Sequence, residues 1–279
     1  MFLIEIGIAP AIVFMNKQKW VTMTAPSALP FILGSMKLKG RVALITGGAR
    51  IGKVVAMALA DQGVHLALTY RTSRKSAEEA AFYAKTKGLK TLLIKADLTL
   101  NKDLADTIAK VKSRFGRLDM LINMASIYER TPLKTLGLKE WERNISGNLK
   151  HAFYLSLKAA VLMKKTGGRI INFADWTAES GRPRYKDLVP YYVAKSGLIG
   201  LTEGLALELA PDILVNAIAP GPIVPPRGIG KKENREVIQA TPLKKWGGAD
   251  EIAKTVLFLI ETNFVTGECI RVDGGRHLY

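Results

Sequence analysis

Tyr191 and Lys195 are the residues whose types and spacing first point to chemistry. They stand four apart in the run Tyr191-Tyr192-Val193-Ala194-Lys195, which opens a helix-like stretch over 191–209. That spacing puts both side chains on one helical face. An ammonium beside a phenol favours the phenolate, so Lys195 is expected to lower the Tyr191 pKa from its reference of about 10. A phenol tuned toward neutral pH can give or take a proton during carbonyl chemistry. An amphipathic helix that merely carries the two residues is the competing interpretation, and the upstream sequence argues against it.

Upstream lies a glycine-rich turn, Thr46-Gly47-Gly48-Ala49-Arg50-Ile51-Gly52, after the first strand-like run and before a helical one. Glycines there let the backbone approach a pyrophosphate, and the next helix offers free N–H groups. The second strand ends at Tyr70-Arg71-Thr72-Ser73. A dinucleotide fold selecting NAD places a carboxylate at that point for the ribose 2′-OH, and this chain has none. Arg71 with the hydroxyls of Thr72 and Ser73 can instead grip a 2′-phosphate, with Arg50 assisting, so the expected cofactor is NADP(H). Asp97, closing Lys95-Ala96-Asp97-Leu98, is expected to accept from the adenine amino group.

The elements that must position these residues follow from periodicity. Strand-like runs at 42–46, 65–70, 91–95, 120–123, 169–175, 213–218 and 269–272 alternate with helix-length stretches at 51–62, 76–87, 104–115, 141–165, 191–209 and 250–261. Gly63 and Gly88 follow two of the helices as C-cap signals. This alternation predicts an α/β fold with a doubly wound parallel sheet of about seven strands and right-handed crossovers. The Pro/Gly-rich segment 220–230 reads as a long loop after a strand end, where ligands bind in such sheets.

Composition narrows the function classes. The 279 residues carry a net charge of +17, unevenly spread. Residues 37–95 hold 12 Lys/Arg against 3 Asp/Glu, and residues 166–279 hold 14 against 13. A basic first half suits a phosphorylated nucleotide or an acidic carrier protein. No nucleic-acid motif is present, and no nucleic-acid partner is expected. A single cysteine, Cys269, excludes an internal disulfide framework and suits a reducing, cytoplasmic setting. His65, His151 and His277 lack ligand spacing, so no metal site is expected. Residues 1–15 are apolar but broken by Glu5 and Pro10, too short for stable membrane insertion, and without a basic start. Residues 1–35 therefore read as a poorly ordered N-terminal extension, or as sequence upstream of the true start, with a membrane-associating segment as the lesser alternative. Residues 36–279 read as one domain.

The Gly47 turn, Asp97, Asn123-Met124-Ala125-Ser126, Asn148, Tyr191 with Lys195, Pro220-Gly221 and Val272-Asp273-Gly274-Gly275 occur in an order that resembles the short-chain dehydrogenase/reductase family. The resemblance covers nearly all of 36–279. It implies a single Rossmann-like three-layer domain, a nicotinamide cofactor and a homotetramer. It also implies cofactor contacts at Gly47, Arg50, Ile51, Gly52, Tyr70, Arg71, Ser73, Asp97, Leu98, Asn123, Ala125, Ser126, Tyr191, Lys195, Pro220, Gly221 and Ile223. Within the family the chain most resembles pteridine-reductase-like members, in which aspartate replaces the catalytic serine. Counting along 168–174 brings Asp175 to that position, and Tyr128, two residues after Ser126, matches an aromatic that stacks on a pterin ring. Pro222 and the pair Pro225-Pro226 also look like this branch.

Three departures stand out. The glycine loop is one residue shorter than the family pattern. Met124 replaces the second asparagine of the usual Asn-Asn-Ala-Gly. Tyr191 follows Asp175 by 16 positions (191 − 175), about three more than usual, which a bulged loop over 179–186 would absorb. Ser180 is then a second candidate for the serine role. The expected reaction is hydride transfer to a C=O or C=N carbon, with Tyr191 donating the proton and Lys195 holding the nicotinamide ribose. Asn148 resembles the asparagine supporting a water-linked proton path, and Asp175 would orient substrate or relay protons. The substrate expected first is a pterin-like or other small carbonyl compound. The alternatives are a 3-oxoacyl group on an acyl carrier protein, or a non-catalytic nucleotide sensor.

Overall fold

Apolar runs buried on both faces make a parallel sheet, since each strand must be covered by a helix layer above and below. The structure, a computed structural model, describes residues 12–16, 19–23, 36–47, 49–163 and 167–278. These fall into two units, one within 1–35 and one over 36–279. In the first, β1 (Ile12–Asn16) pairs antiparallel with β2 (Lys19–Met23). The rest of the expected N-terminal extension lies outside the described residues.

The second unit alternates strand and helix. Its first half holds β3 (Val42–Thr46), α1 (Ile51–Asp61), β4 (His65–Tyr70), α2 (Arg74–Thr86), β5 (Thr91–Lys95), α3 (Asn101–Phe115) and β6 (Met120–Asn123). Next come α4 (Leu138–Ile145), a π-helical turn (Ser146–Lys150), α5 (His151–Met163), β7 (Gly168–Phe173), the one-turn α6 (Trp176–Glu179) and α7 (Val189–Leu209). The chain closes with β8 (Ile213–Pro220), α8 (Lys231–Gln239), α9 (Ala249–Glu261) and β9 (Cys269–Val272).

All seven strands are parallel, in the order β5-β4-β3-β6-β7-β8-β9. The order reverses between β3 and β6, where Thr46 is level with Asn123. This is the switch point at whose C-terminal end open α/β sheets bind ligands. Alternation along β3 decides which layer each residue meets. Ala43 and Ile45 pack with Val55 and Leu59 of α1 and Ile252 and Leu259 of α9. Val42 and Leu44 pack with Leu104 of α3, Leu155 of α5 and Leu205 of α7. At the opposite end of the sheet, buried Asp119 accepts from Arg41, Arg117 and the Val42 N–H, pinning the starts of β3 and β6.

The strands expected at 42–46, 65–70, 91–95, 120–123 and 269–272 coincide with β3, β4, β5, β6 and β9. Other elements differ from expectation: the strand expected over 169–175 ends at Phe173, and Asp175 instead caps the unexpected one-turn α6. The helix expected over 141–165 is interrupted by the π-helical turn, where an added Cβ on Gly147 would come within 2.8 Å of the Ile127 side chain. α8 was not expected, because a helix that buries none of its residues leaves no apolar period to read.

Candidate active site

The glycine turn after β3 folds tightly. Gly47 has φ +62°, and a Cβ on it would lie 2.8 Å from the Ala125 Cα. Its N–H donates to Thr69 Oγ1 at 3.1 Å, so β4 holds the turn in place. The next residues enter α1, whose first turn carries no acidic side chain and no side-chain cap. The N–H groups of that turn, Ile51 and Gly52 among them, are therefore free to meet an anion. Met124, where the family pattern has asparagine, packs its sulfur toward Gly52. Thr46 Oγ1 meanwhile accepts from the N–H groups of Met124 and Ala125, which keeps the end of β6 in register despite the lost amide.

A groove of about 330 Å³ runs across this switch point. Gly47, Tyr70, Arg71, Ser73, Asp97, Leu98, Ala125 and Ser126 line it, eight of the residues expected to hold cofactor. Ser73 sits at the N-cap of α2 without its hydroxyl capping the helix. Arg71 Nη1 lies 3.8 Å from Asp97 Oδ2, so the expected phosphate-gripping cation and adenine acceptor face each other at one end. Burial pushes the Asp97 carboxyl up, but the Thr99 hydroxyl and N–H and the Arg71 charge outweigh it and leave the pKa below the usual value.

The other expected cofactor residues lie elsewhere. Arg50 donates to the Pro225 carbonyl, tying the glycine turn to the loop after β8 instead of joining Arg71. Its place at the N-cap of α1 aims the side chain along that loop. Asn123 is 2% exposed and donates to Asn172 Oδ1 and Ser156 Oγ inside the protein. Pro220 ends β8 beside Val272. Gly221 packs against Asp273 so closely that no Cβ fits between them, which accounts for the distant Val272-Asp273 pattern. Ile223 is buried and lines a separate cavity with Gly247 and Asp273.

At the ends of β7 and α7 the catalytic candidates meet. Asp175 caps α6, its Oδ1 accepting from Thr177 N (2.8 Å) and Thr177 Oγ1 (2.6 Å). Its Oδ2 accepts from the Tyr191 hydroxyl at 2.9 Å. Thr177 is the orienting residue that the sequence did not single out. Ser180, the second candidate, donates to the Thr177 carbonyl instead of reaching Tyr191. Lys195 is buried, and its Nζ donates to the Phe173 carbonyl at 2.6 Å. The Tyr128 ring packs edge-on against Tyr191 with centroids 4.9 Å apart, while Tyr128 itself is 57% exposed. The additional residues before Tyr191 form a loop between Gly181 and Asp187, both with left-handed backbone. It is latched where Thr131 N–H donates to the Asp187 carbonyl, and its Pro183, Arg184 and Tyr185 wall a small pocket with Asp175 and Tyr191.

The electrostatics reverse one expectation. The Tyr191 pKa is raised well above the ordinary value, not lowered. Burial is the larger cause, and the Asp175 carboxylate, as charge and as acceptor, adds to it. Lys195 bears the cost of burial too, and its pKa falls to about 8 despite the opposing pull of Asp175. Asn148, on the π-helical turn, is fully engaged. It donates to the Ile127 and Asn144 carbonyls and accepts from Ser126 Oγ (2.6 Å) and the Ile127 N–H (3.2 Å).

The chain is similar to several known proteins. A family described as enoyl-(acyl carrier protein) reductase matches residues 48–277. A 3-oxoacyl-[acyl-carrier-protein] reductase FabG of Staphylococcus epidermidis is 34% identical over 243 residues, covering 85% of this chain and 98% of that protein. A 3-oxoacyl-[acyl-carrier-protein] reductase of Synechocystis sp. is 34% identical over 87% of this chain and 99% of its own. Among solved structures, a short-chain dehydrogenase/reductase from Serratia marcescens matches with TM-score 0.79 at 33% identity, covering 86% of this chain and 99% of that one. FolM alternative dihydrofolate reductase 1 from Brucella canis, complexed with NADP, matches with TM-score 0.79 at 30% identity, covering 87% and 96%.

Proposed function

Since the chain belongs to the short-chain dehydrogenase/reductase family, we propose that it is an NADP(H)-dependent oxidoreductase that reduces the keto group of a 3-oxoacyl thioester. The observation that carries this reading is the placing of a buried phenol and a buried ammonium beside a groove suited to a nucleotide. Ser126 and Ile127 line that groove, and Tyr128, the next residue, packs on Tyr191. When bound, NADPH supplies the hydride. Arg71, Ser73 and the first turn of α1 would hold its phosphates, and Asp97 and Leu98 would receive its adenine. Tyr191 gives its proton to the developing alkoxide. Lys195 carries positive charge toward that phenol as the proton leaves, which stabilises the phenolate.

The substrate choice follows the curated relatives, whose names specify 3-oxoacyl groups on an acyl carrier protein and whose whole length the chain spans. The basic first half of the chain suits an acidic carrier. A second reading, reduction of a pterin-like ring, is favoured by the Asp175–Tyr191 hydrogen bond, the exposed Tyr128 ring and the likeness to the FolM protein. Exposed Phe153, Leu157 and Val161 recur every four residues along α5, an apolar stripe that supports assembly into a homotetramer. Among the described residues no helix is long and apolar enough to cross a membrane. The single cysteine supports a reducing, cytoplasmic setting.

Titration with NADPH and NADH, followed by assays with acetoacetyl thioesters and a dihydropterin, tests this. Tight binding of NADPH alone and turnover of the thioester is the expected result. Turnover of the dihydropterin alone replaces the first reading with the second. Failure to bind either cofactor overturns both.

A further inference from the structure

Beside the Arg71 end of the groove lies a second cavity of about 730 Å³. It shares Ala49, Thr72 and Ser73 with the groove, so the two spaces are continuous. The cations Arg50, Lys53, Lys75 and Arg227 face it. The carboxylate on its wall, Glu79, is held by Lys53 at 2.9 Å. Lys75 and Arg227 form no ion pair among the described residues. A cleft lined by one sign of charge concentrates the opposite sign, so this one draws an anion. Arg50, Lys53 and Lys75 belong to α1, its N-cap and α2. Arg227 arrives from the loop after β8, far along the chain.

The loop is built to deliver it. The Pro222 and Ile223 carbonyls accept from the Gly247 and Gly248 N–H groups at 2.9 and 2.8 Å, which fixes the start of the loop. Arg50 Nη1 then donates to the Pro225 carbonyl at 2.5 Å. The Ile229 N–H closes a turn on the Pro226 carbonyl at 3.3 Å, with Gly228 at φ +74°. Arg50, expected from the sequence to assist at the 2′-phosphate, thus gives a donor to the loop, and the loop brings Arg227 to the same cavity. Beyond the turn, α8 buries none of its residues. Trp246 Nε1 donates to Asn234 Oδ1 at 2.8 Å and ties the helix to the chain beyond it. A segment with so little buried surface opens at low free-energy cost.

We propose that Arg227 binds the 2′-phosphate of NADP(H), and that this contact fastens the segment 225–239 to the nucleotide-binding half of the domain. This rests on the NADP(H) assignment above and is independent of the substrate. A phosphate seated at Thr72 and Ser73, the residues common to both spaces, presents its oxygens to the cavity that Arg227 lines. Arg227 is exposed, and its planar fork can take two phosphate oxygens at once. Lys75 adds charge from α2 but cannot link the loop to the nucleotide. The two nicotinamide cofactors then differ in more than affinity. NADH offers Arg227 no phosphate and leaves the segment to Arg50 and Trp246, whereas NADPH adds a third tie. The group that selects the cofactor also orders the segment.

Fragments of the cofactor separate this contact from the rest of the nucleotide. Limited trypsin digestion of the full chain, read by mass spectrometry, reports opening of the segment through the cuts after Lys231, Lys232 and Arg235. Saturating adenosine 2′,5′-bisphosphate should slow those cuts about tenfold, and saturating adenosine 5′-monophosphate should not. Arg227 donates no hydrogen bond among the described residues, so its replacement leaves the fold intact. In Arg227→Gln the bisphosphate should bind roughly tenfold more weakly and, at saturation, no longer protect. Arg227→Lys keeps the charge without the fork and should regain part of the protection. Equal protection in the unaltered and Arg227→Gln proteins overturns the proposal, as does equal protection by the two nucleotides. Bisphosphate that binds without slowing the cuts also overturns it. Failure of the bisphosphate and of NADPH to bind the unaltered chain, measured by calorimetry, would instead sink the NADP(H) assignment itself.

Discussion

The Tyr191 hydroxyl donates its hydrogen bond to Asp175 Oδ2, 2.9 Å away, while Lys195 Nζ turns to the Phe173 carbonyl. The phenol is thus held in its protonated form by a carboxylate, and the lysine waits 5.7 Å from the ring centroid. In the proposed reaction the proton held there passes to the substrate oxygen, and the lysine only carries charge toward the phenolate left behind.

Replacing that carboxylate should therefore retune the tyrosine. In Asp175→Asn the Tyr191 pKa falls, because one of the causes that raise it is gone. The alcohol-oxidising reaction, which needs phenolate, should reach its plateau at lower pH than in the unaltered enzyme. A pH–rate profile that does not move would remove Asp175 from control of the phenol.

Loss of the phenol itself should be severe and local. Tyr191→Phe is expected to lower kcat by roughly 10²–10⁴-fold, with NADPH affinity retained within about twofold because the groove residues are untouched. Stopped-time assays beside fluorescence titration check both halves.

The depressed Lys195 pKa has a stability consequence of definite sign. Its folded value of about 8 lies below the ordinary 10.5, so between these values the unfolded chain binds more protons. Its contribution to stability therefore rises with pH through that window and is a penalty below pH 8. Lys195→Met should be the more stable protein at pH 7, by up to about 3 kcal/mol, and inactive. Its advantage should shrink toward pH 10, as denaturant midpoints at the two pH values will tell.

Arg71 should set cofactor choice. Arg71→Ala removes a charge-assisted contact worth about 1.5–3 kcal/mol, so the Kd for NADPH should rise roughly 10- to 100-fold with that for NADH unchanged. An equal loss for both cofactors would mean that Arg71 only shapes the groove.

Gly47→Ala should fail for a backbone reason. The positive φ and the 2.8 Å approach to the Ala125 Cα leave no place for a methyl group. A loss of about 1–3 kcal/mol in stability, together with NADPH binding, is expected in thermal melts with and without cofactor.

Much of this molecule was legible in its sequence, for reasons that are local. The strands from β3 to β6 lie where the apolar runs end in glycine or a polar turn. Tyr191 and Lys195 share a helix, so their common face follows from spacing alone. The glycine turn, Arg71 and Asp97 stand at strand ends, which places them on the C-terminal edge of any parallel sheet. Asn123 shows where such reasoning stops, since its position at a strand end did not reveal that its amide points inward to Asn172 and Ser156. α8 and α6 were missed because one is wholly charged and polar on the outside and the other is a single turn.

What the sequence determined by itself is whatever depends on a residue and its near neighbours along the chain: the alternation of strand and helix, the anion-receptive turn and the Tyr/Lys pair. The tertiary structure alone decided which way the pair is tuned. The partner that matters most to Tyr191 stands 16 positions away at the N-cap of α6, and the burial that raises the phenol and lowers the lysine comes from residues distant in sequence, Tyr128 among them. Ionisation answers to charge and desolvation through space, and neither is encoded by spacing along a helix.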